Sequence, residues 1–312
     1  MYSTSRFSGQ RILVTGGAGF IGSHLCARLR ELGADVHAVS RAERAATDGG
    51  PRWWRGDVAD IDTARALIDA VAPDVIFHLA SHVTGRGETE QVAPTLHANL
   101  VSLVNVMTAA SERGCGRIVS CGSLEESALD GVDTVPVSPY TAAKWASGMY
   151  ARFFHAHYGL PVVHLRIAMV YGPGKCTETR LVPYVIRSLL AGEAPKLSSG
   201  ELELDWLYID DAIEGLLAAG AAPDAADGRP IELGSGRLVS VRATVEHIMS
   251  LMADRVGAGI EPDFGALPER PFERRLPADV AHARARIGWQ PTTPLDDGLR
   301  ATVDWYCGAG GA

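Results

Sequence analysis

Short apolar runs alternate with longer segments of helical period through the first half of the chain. The apolar runs lie at residues 11–14, 35–39, 75–79, 117–120 and 162–167. The helical segments between them include residues 21–32, 63–71 and 95–113. Alternation of this kind predicts an α/β fold, with a doubly wound parallel sheet covered by helices on both faces.

The regular alternation stops after residues 171–174, which read Tyr-Gly-Pro-Gly. Prolines then divide the chain into short pieces, at positions 183, 195, 223, 230, 262, 268, 271 and 277. Because ligands of α/β sheets bind beyond the carboxyl ends of the strands, a smaller lobe made from these segments would close over that edge. The expected division is a sheet domain of residues 1–168 with about 205–232, and a C-terminal substrate-binding lobe of about 169–204 and 233–312.

A glycine-rich turn follows the first apolar run. Gly16, Gly19 and Gly22 keep the spacing G-x-x-G-x-x-G, and Phe20 and Ile21 begin the helix behind it. Glycine at these positions allows a tight turn, close approach of a pyrophosphate and close packing of helix on strand. Backbone N–H groups at the helix N-terminus would face the phosphates. The segment predicts a Rossmann-type dinucleotide site, with Phe20 and Ile21 among its contacts.

Composition and charge narrow the expected partners. The chain has 312 residues, of which 46% are hydrophobic and 21% charged, and a formal net charge of −8. Since no basic cluster is longer than Arg274-Arg275, neither nucleic acid nor an anionic membrane is expected as a partner. No apolar stretch approaches the ~20 residues that span a bilayer, and residues 1–10 lack the apolar core of a signal peptide. A soluble, cytoplasmic protein with a small-molecule ligand is expected.

The cysteines and histidines predict neither a disulfide framework nor a metal site. The five cysteines, at positions 26, 115, 121, 176 and 307, include no C-x-x-C pair. His155, His157 and His164 have no matching cysteine or carboxylate cluster. Reduced thiols and no bound metal are therefore expected.

Tyr140 and Lys144 form the second chemical signal. They follow Pro139 and are four residues apart, which places both side chains on one face of a predicted helix. A tyrosine ionises at about pH 10, but a neighbouring ammonium and a positively charged nicotinamide both favour the phenolate. Tyr140 can then act as an acid or a base nearer neutral pH, and Lys144 can also hold ribose hydroxyls.

Together these motifs resemble the extended short-chain dehydrogenase/reductase family, in the branch that acts on nucleotide-diphosphate sugars. The resemblance extends from about residue 11 to about residue 306. Further matching segments are Gly56-Asp57-Val58, His78-Leu79-Ala80-Ser81, Asn99, Ser120-Cys121-Gly122-Ser123, Tyr171-Gly172-Pro173-Gly174, Asp205–Asp211 and Ile287–Pro291. The order of the segments carries the resemblance, since no single one is decisive.

The resemblance implies roles for several residues and an assembly. Asp57 would contact the adenine, and Ser123 would hydrogen-bond the reacting oxygen. The other implied cofactor contacts are Val58, Leu79, Ala80, Ser81 and Asn99. Family members commonly pair through two long helices each, and the segments 95–113 and 140–157 could supply them. A homodimer is therefore expected by analogy.

The end of the second predicted strand bears on the choice of cofactor. Enzymes that prefer NAD typically have an acidic side chain there, which accepts hydrogen bonds from the ribose. This chain has Ser40 and Arg41, whose hydroxyl and guanidinium suit the 2′-phosphate of NADP. NADP is therefore the predicted cofactor and NAD the alternative, with Arg44 as a rival or partner of Arg41. Since the family's epimerases and dehydratases recycle a bound NAD, whereas a net reductase draws on NADPH, the sequence favours a ketoreductase.

Departures from the family pattern bear on the same choice. The family's dehydratases often carry acidic residues directly after the catalytic hydroxyl, but here Ser123 is followed by Leu124 and then by Glu125 and Glu126. Glu125 could still serve as a base, so dehydration is disfavoured but stays open.

The substrate contacts also depart from the pattern. Met169 stands where many relatives have an asparagine that touches the substrate, and Leu204 where many have a phosphate-binding arginine. The phosphate contacts are instead expected from other arginines, because a guanidinium can bind phosphate with two hydrogen bonds. The candidates for the substrate pocket are Arg180, Arg242, Arg270, His82, Thr84, Leu181 and Met169.

The predicted activity is NADPH-dependent reduction of the 4-keto group of a nucleotide-diphosphate 4-keto-6-deoxyhexose, as in a TDP-sugar 4-ketoreductase. Tyr140 would donate the proton, Ser123 would polarise the ketone, and Lys144 would lower the tyrosine pKa and fix the ribose. The sugar class rests on the resemblance. The alternative is an NAD-dependent nucleotide-sugar 4-epimerase or dehydratase. A second alternative is a binding protein that senses NADP without catalysis.

Overall fold

The short apolar runs of the sequence become strands. The protein is described from a computed structural model that covers residues 6–83, 88–131, 134–176, 180–256, 259–269 and 275–308. Its strands are β1 (Arg11–Thr15), β2 (Asp35–Ser40), β3 (Arg52–Arg55), β4 (Val75–His78), β5 (Arg117–Ser123), β6 (Val162–Ile167), β7 (Met169–Tyr171), β8 (Lys196–Leu197), β9 (Glu203–Tyr208), β10 (Asp227–Leu233), β11 (Leu238–Ser240) and β12 (Asp263–Phe264).

Helices connect most of these strands. They are α1 (Phe20–Glu31), α2 (Ile61–Val71), α3 (Val92–Leu96), α4 (Ser102–Arg113), α5 (Pro139–Tyr158), α6 (Leu181–Leu190), α7 (Ile209–Ala221), α8 (Val241–Met252), α9 (Val280–Ile287) and α10 (Leu295–Cys307). A π-helical turn at His97–Val101 joins α3 to α4, and 3₁₀ turns lie at Thr89–Gln91, Leu124–Leu129 and Pro223–Ala225. Among the helices of the described residues, none is both long and apolar enough to cross a bilayer.

The larger sheet has seven strands in the order β10-β6-β5-β4-β1-β2-β3, and every neighbouring pair is parallel. Parallel sheets are covered by helices on both faces, which explains why the central strands are apolar throughout. Helices α1, α7 and α9 pack on one face, and α2, α4 and α5 on the other. The predicted doubly wound α/β fold is confirmed.

Local sequence signals fix the start of α5, the helix that carries Tyr140 and Lys144. The Ser138 hydroxyl accepts a hydrogen bond from the Thr141 N–H at the helix N-terminus. Pro139 occupies the first turn, where its missing N–H costs no hydrogen bond. Gly159 ends the helix with a φ of +65°.

A smaller lobe is built around a second sheet, of β7, β9 and β11. Helices α6, α8 and α10 pack against it through apolar side chains such as Val185, Ile248 and Val303. Strand β9 belongs to this smaller sheet, whereas α7 packs on α1 and β10 returns to the larger sheet beside β6. The division of the chain at residues 168, 205 and 232 stays a proposal.

Candidate active site

The glycine turn at the end of β1 leaves room for a ligand by lacking side chains. Gly16 has a φ of +71°, and a Cβ there would lie 2.7 Å from the Leu79 carbonyl oxygen. A Cβ on Gly22 would overlap the Gly16 carbonyl oxygen. Helix α1 begins after Gly19, and no side chain caps its N-terminal N–H groups. The cradle therefore fits the pyrophosphate of a dinucleotide, which would accept hydrogen bonds from these N–H groups.

The end of β4 is tied to the same turn. The Thr15 hydroxyl accepts a hydrogen bond from the Ala80 N–H (3.1 Å) and lies 3.0 Å from His78 Nδ1. Both His78 and Thr15 are buried, and burial lowers the pKa of the His78 imidazole to about 3. These contacts hold Leu79 and Ala80 against the glycine turn.

Asn99 organises the loop that follows β4. Its Oδ1 accepts hydrogen bonds from the Ser81 hydroxyl (2.5 Å) and the His82 N–H (3.1 Å), and its Nδ2 donates to the His82 and Thr95 carbonyl oxygens. Asn99 is buried within the π-helical turn and does not line the cavity described below. Its side chain positions Ser81 and His82, which do line it.

Ser123, Tyr140 and Lys144 come together on one wall. Ser123 is the last residue of β5, and the other two lie in the first two turns of α5. The Lys144 ammonium donates a hydrogen bond to the Cys121 carbonyl oxygen (2.6 Å) and lies 5.8 Å from the centre of the Tyr140 ring. Since Cys121 is two residues before Ser123, this bond ties α5 to the end of β5.

Burial dominates the electrostatics of Tyr140. It raises the pKa of the Tyr140 phenol, and the Glu125 charge raises it further, while Arg180 and a hydrogen bond with Ser123 act in the opposite direction. Burial also lowers the pKa of Lys144. Lys144 was expected to bring the pKa of Tyr140 down. For the protein alone burial of the phenol sets the direction of the shift, and the expected lowering by Lys144 stays a prediction.

The two glutamates after Ser123 point in different directions. Glu125 lines the cavity, where it accepts a hydrogen bond from the Thr141 hydroxyl (2.7 Å) and pairs with Arg275 at 3.2 Å. Glu126 is fully buried behind Ser123 and is absent from the cavity wall. Leu124, between Ser123 and Glu125, faces the cavity with an apolar side chain.

These features enclose one cavity of about 570 Å³ that lies between the large sheet and the smaller lobe. The residues of its wall that belong to the large sheet's side are Gly16, Gly19, Phe20, Ile21, Gly22, Leu79, Ser81, His82, Val83, Cys121, Gly122, Ser123, Leu124, Glu125, Tyr140, Lys144, Ile167 and Ala168. The smaller lobe's side supplies Met169, Val170, Cys176, Arg180, Leu204, Asp205, Arg275 and Leu276.

Arg180 is one of the predicted substrate residues that line the cavity. It lines the cavity just before α6, and its guanidinium donates to the Met169 sulfur at 3.7 Å. Its positive charge acts on Tyr140. Leu181 begins α6 and packs against the core of the smaller lobe instead.

Four predicted cofactor residues are absent from the cavity wall. Arg41 is exposed, Ser40 is the last residue of β2, and Asp57 is an exposed turn residue that accepts the Ala59 N–H. Val58 is buried in the core on the α2 side of the sheet. The neighbouring Arg44 lies 5.9 Å from the centre of the Trp53 ring.

Arg242 lies away from the cavity wall. Its guanidinium donates to the Ser199 carbonyl oxygen (2.6 Å) and stacks 3.9 Å from the centre of the Phe264 ring. Those contacts occupy it within the smaller lobe. Two further candidates, Thr84 and Arg270, fall outside the described residues.

Sequence reasoning missed several residues of the wall, among them Arg275 and Leu276. Arg275 meets Glu125 across 150 positions of sequence, and the only local signal was its membership of the pair Arg274-Arg275. Among the described residues no group of three or more histidines, cysteines, aspartates and glutamates could hold a metal ion.

Several known proteins are similar to this chain over most of its length. Residues 12–234 match the NAD dependent epimerase/dehydratase family. A UDP-glucose 4-epimerase of Mycolicibacterium smegmatis is 30% identical over 315 residues, which cover 95% of this chain and 98% of that protein. A dTDP-glucose 4,6-dehydratase of Streptomyces niveus is 31% identical over 325 residues, which cover 95% of this chain and 92% of that protein. Among solved structures, MoeE5 in complex with UDP-glucuronic acid and NAD is 30% identical, with a TM-score of 0.80 over 94% of this chain and 98% of MoeE5.

Proposed function

Because this chain belongs to the NAD dependent epimerase/dehydratase family, we propose that it is a nucleotide-sugar 4-epimerase that keeps a bound NAD. The relatives named above support a nucleotide-diphosphate hexose as the substrate. Epimerase and dehydratase relatives are similar to a comparable degree, so the choice between the two activities rests on the site.

The acid and base groups beside Ser123 carry this choice. Elimination of water needs one group to take a proton from carbon and another to protonate the departing hydroxyl. Leu124 can do neither, Glu126 faces away from the cavity, and Glu125 is held by Arg275 and Thr141. Inversion at carbon 4 needs only one acid and base group, a hydroxyl to hold the oxygen, and room for the sugar to turn over.

Each polar residue of the cavity wall has its own role in the proposed reaction. Tyr140 takes the proton of the 4-hydroxyl and later returns it, and Ser123 holds the same oxygen by a hydrogen bond. Lys144, anchored on the Cys121 carbonyl oxygen, holds the ribose hydroxyls. The cofactor, when bound, supplies reversible acceptance of hydride from carbon 4 and a positive charge that favours the Tyr140 phenolate. Because a bound cofactor would take up and give back the same hydride, the proposed reaction would involve no net oxidation.

The predicted ketoreductase activity and NADP preference remain the competing interpretation. Ser40 and Arg41 suit a 2′-phosphate, and Arg41 is exposed at the end of β2, where such a group could reach it. MoeE5, by contrast, was solved with NAD. We propose NAD because an epimerase regenerates its cofactor within each turnover and needs no exchange with a reduced pool.

One experiment separates these interpretations. The nucleotide released by denaturing the purified protein is identified by mass, and the protein is incubated with UDP-glucose or dTDP-glucose without added cofactor. We expect released NAD and formation of the 4-epimer by NMR, with no net change in absorbance at about 340 nm. A 4-keto-6-deoxy product would instead establish the dehydratase. Oxidation of NADPH with TDP-4-keto-6-deoxyglucose would establish the reductase.

We also propose a homodimer formed through α5. Several large apolar side chains are exposed on this helix, namely Trp145, Met149, Tyr150, Phe153 and Tyr158. Exposed apolar surface of this extent on one helix favours association. Light scattering on the same purified protein should give twice the chain mass of 33.1 kDa, and a monomeric mass would contradict this.

A further inference from the structure

A fully buried carboxylate lies directly behind the catalytic serine. Glu126 has no exposed surface, and its Oε1 accepts a hydrogen bond of 2.6 Å from the Ser123 N–H. The Ser123 hydroxyl in turn accepts a hydrogen bond from the Glu125 N–H at 3.3 Å. This reciprocal capping fixes the backbone where β5 ends and the 3₁₀ turn begins.

The other carboxylate oxygen of Glu126 is held by two cationic or donor groups from β6. Glu126 Oε2 lies 3.1 Å from His164 Nε2 and 3.4 Å from Arg166 Nε. The second ring nitrogen of His164 lies 2.9 Å from the Ser120 hydroxyl on β5. Both His164 and Arg166 are buried. One oxygen of the carboxylate therefore bonds to β5 and the other contacts β6, so Glu126 links the two strands.

Two glycines leave space for this carboxylate and for the histidine that holds it. A Cβ on Gly122 would overlap Glu126 Oε1, and a Cβ on Gly148 of α5 would lie 3.5 Å from Glu126 Oε2 and 3.1 Å from His164 Nε2. Strand β5 and helix α5 each have a glycine where a larger residue would crowd the pair of Glu126 and His164. A buried charge is costly unless it is paired and hydrogen-bonded, and here every contact of Glu126 either pairs it or anchors Ser123.

We propose that Glu126 is a positioning residue of the reaction, which holds Ser123 at the end of β5 so that the serine hydroxyl meets Tyr140 and the substrate oxygen. Glu126 touches neither the cavity nor the substrate and acts only through Ser123. The proposal rests on the proposed function of the Ser123 and Tyr140 wall. A misplacement of about 1 Å at such a site can cost roughly 100-fold in rate.

Two substitutions separate position from charge. Glu126→Asp keeps the charge but shortens the side chain by one methylene, so the carboxylate cannot reach both Ser123 and the β6 pair. Glu126→Gln removes the charge but keeps an oxygen that can accept the Ser123 N–H. We expect the aspartate variant to lose about 10- to 100-fold in kcat with KM changed by less than about 3-fold. The glutamine variant should lose less than the aspartate variant.

Asp130→Asn is the matched control. Asp130 pairs with Arg166 at 2.5 Å from the outer side, and its side chain is 55% exposed. The control perturbs the same arginine without touching Ser123, so kcat should stay within about 2-fold of wild type. Should Glu126→Gln fail to fold because buried Arg166 loses one of its carboxylate partners, the double variant Glu126→Gln, Arg166→Met removes both charges and takes its place. Wild-type kcat in folded Glu126→Asp protein would overturn the proposal, as would equal losses in Asp130→Asn.

Crystal structures of the wild type and of Glu126→Asp give a readout that is independent of turnover. The Ser123 hydroxyl should be displaced relative to the Tyr140 hydroxyl in the variant. If the wild type epimerises neither UDP-glucose nor dTDP-glucose, the proposed function fails, yet the position of Ser123 still decides the role of Glu126. An unmoved serine overturns the proposal in either case.

Discussion

The carboxyl ends of β1 and β5 lie at the same edge of the large sheet but are built by different means. At the end of β1 the site is made of backbone, because Gly16 and Gly22 have no room for a Cβ. At the end of β5 it is made of side chains, with Ser123 held by Glu126 and Glu126 held by β6. The first end depends on a few consecutive residues and the second on partners far apart in sequence. An ion or phosphate can be held by a local turn, whereas proton transfer needs groups brought together by the fold.

The largest expected effect comes from removing Tyr140, the proposed proton-transfer group at the β5 side. Tyr140→Phe should lower kcat about 10²- to 10⁴-fold, since general acid and base catalysis contributes on that order, while the bound cofactor is retained. Tyr150→Phe, at an exposed position ten residues later on α5, is the control and should keep wild-type turnover. Steady-state kinetics with the accepted nucleotide sugar measure both. Equal activity of the Tyr140 variant and wild type would mean that Tyr140 is not the acid and base group of the reaction.

A smaller effect should follow from filling the backbone cradle of β1. Gly16→Ala combines a strained φ with a Cβ that would lie 2.7 Å from Leu79, so it should lower cofactor retention at least about 10-fold and cost roughly 2–4 kcal/mol of unfolding free energy. Gly49→Ala is the matched control, because Gly49 has a φ of +73° but no atom within 4 Å of the added Cβ. It should cost only about 1–2 kcal/mol of strain. Thermal unfolding and the amount of released nucleotide measure both variants, and equal effects would show that the cradle has no special role.

The effect expected to be smallest near neutral pH concerns His78, which ties the end of β4 to β1 through Thr15. Burial lowers its pKa to about 3 from an ordinary 6.5, so the unfolded chain binds one proton more than the folded protein between those pH values. Stability should therefore fall as the pH drops from about 6.5 towards 3, by at most about 1.4 kcal/mol per pH unit from this group.

The free energy of unfolding of His78→Gln, measured in urea across that pH range, should depend less steeply on pH than that of the wild type. His97→Gln, at an exposed histidine, should leave the slope unchanged. If the pH dependence of the unfolding free energy were the same in the His78 variant as in wild type, the fold would not be keeping this histidine neutral. Other groups would then cause the loss of stability in acid.

The contrast between the two strand ends also explains what the sequence could predict. The α/β fold followed from apolar periodicity, and the glycine turn and the pair Tyr140 and Lys144 from short spacings. All three signals lie within short segments of the chain, so they can be recognised without knowledge of the tertiary structure. The resemblance to a nucleotide-sugar family, which the family match supports, came from the order of such local pieces.

The remaining features depend on contacts between distant segments. Arg275 meets Glu125, and His164 meets Glu126, only because the smaller lobe and β6 fold back onto the end of β5. Arg242 looked like a phosphate ligand by type but is occupied by Ser199 and Phe264. The pKa of Tyr140 was judged from its neighbour Lys144, whereas burial, which no spacing reveals, determines the direction.

Gly122, Gly148 and Glu126 constrain one another in a way that reaches beyond a single protein. A larger residue at Gly122 would collide with the carboxylate, one at Gly148 would crowd the His164 ring that holds it, and loss of the carboxylate would leave a void and remove one partner of Arg166. A substitution at one of these positions therefore calls for compensating substitutions at the others, so the three residues should be inherited together. The trio would then mark a lineage within the family, separable from relatives whose serine is supported in another way.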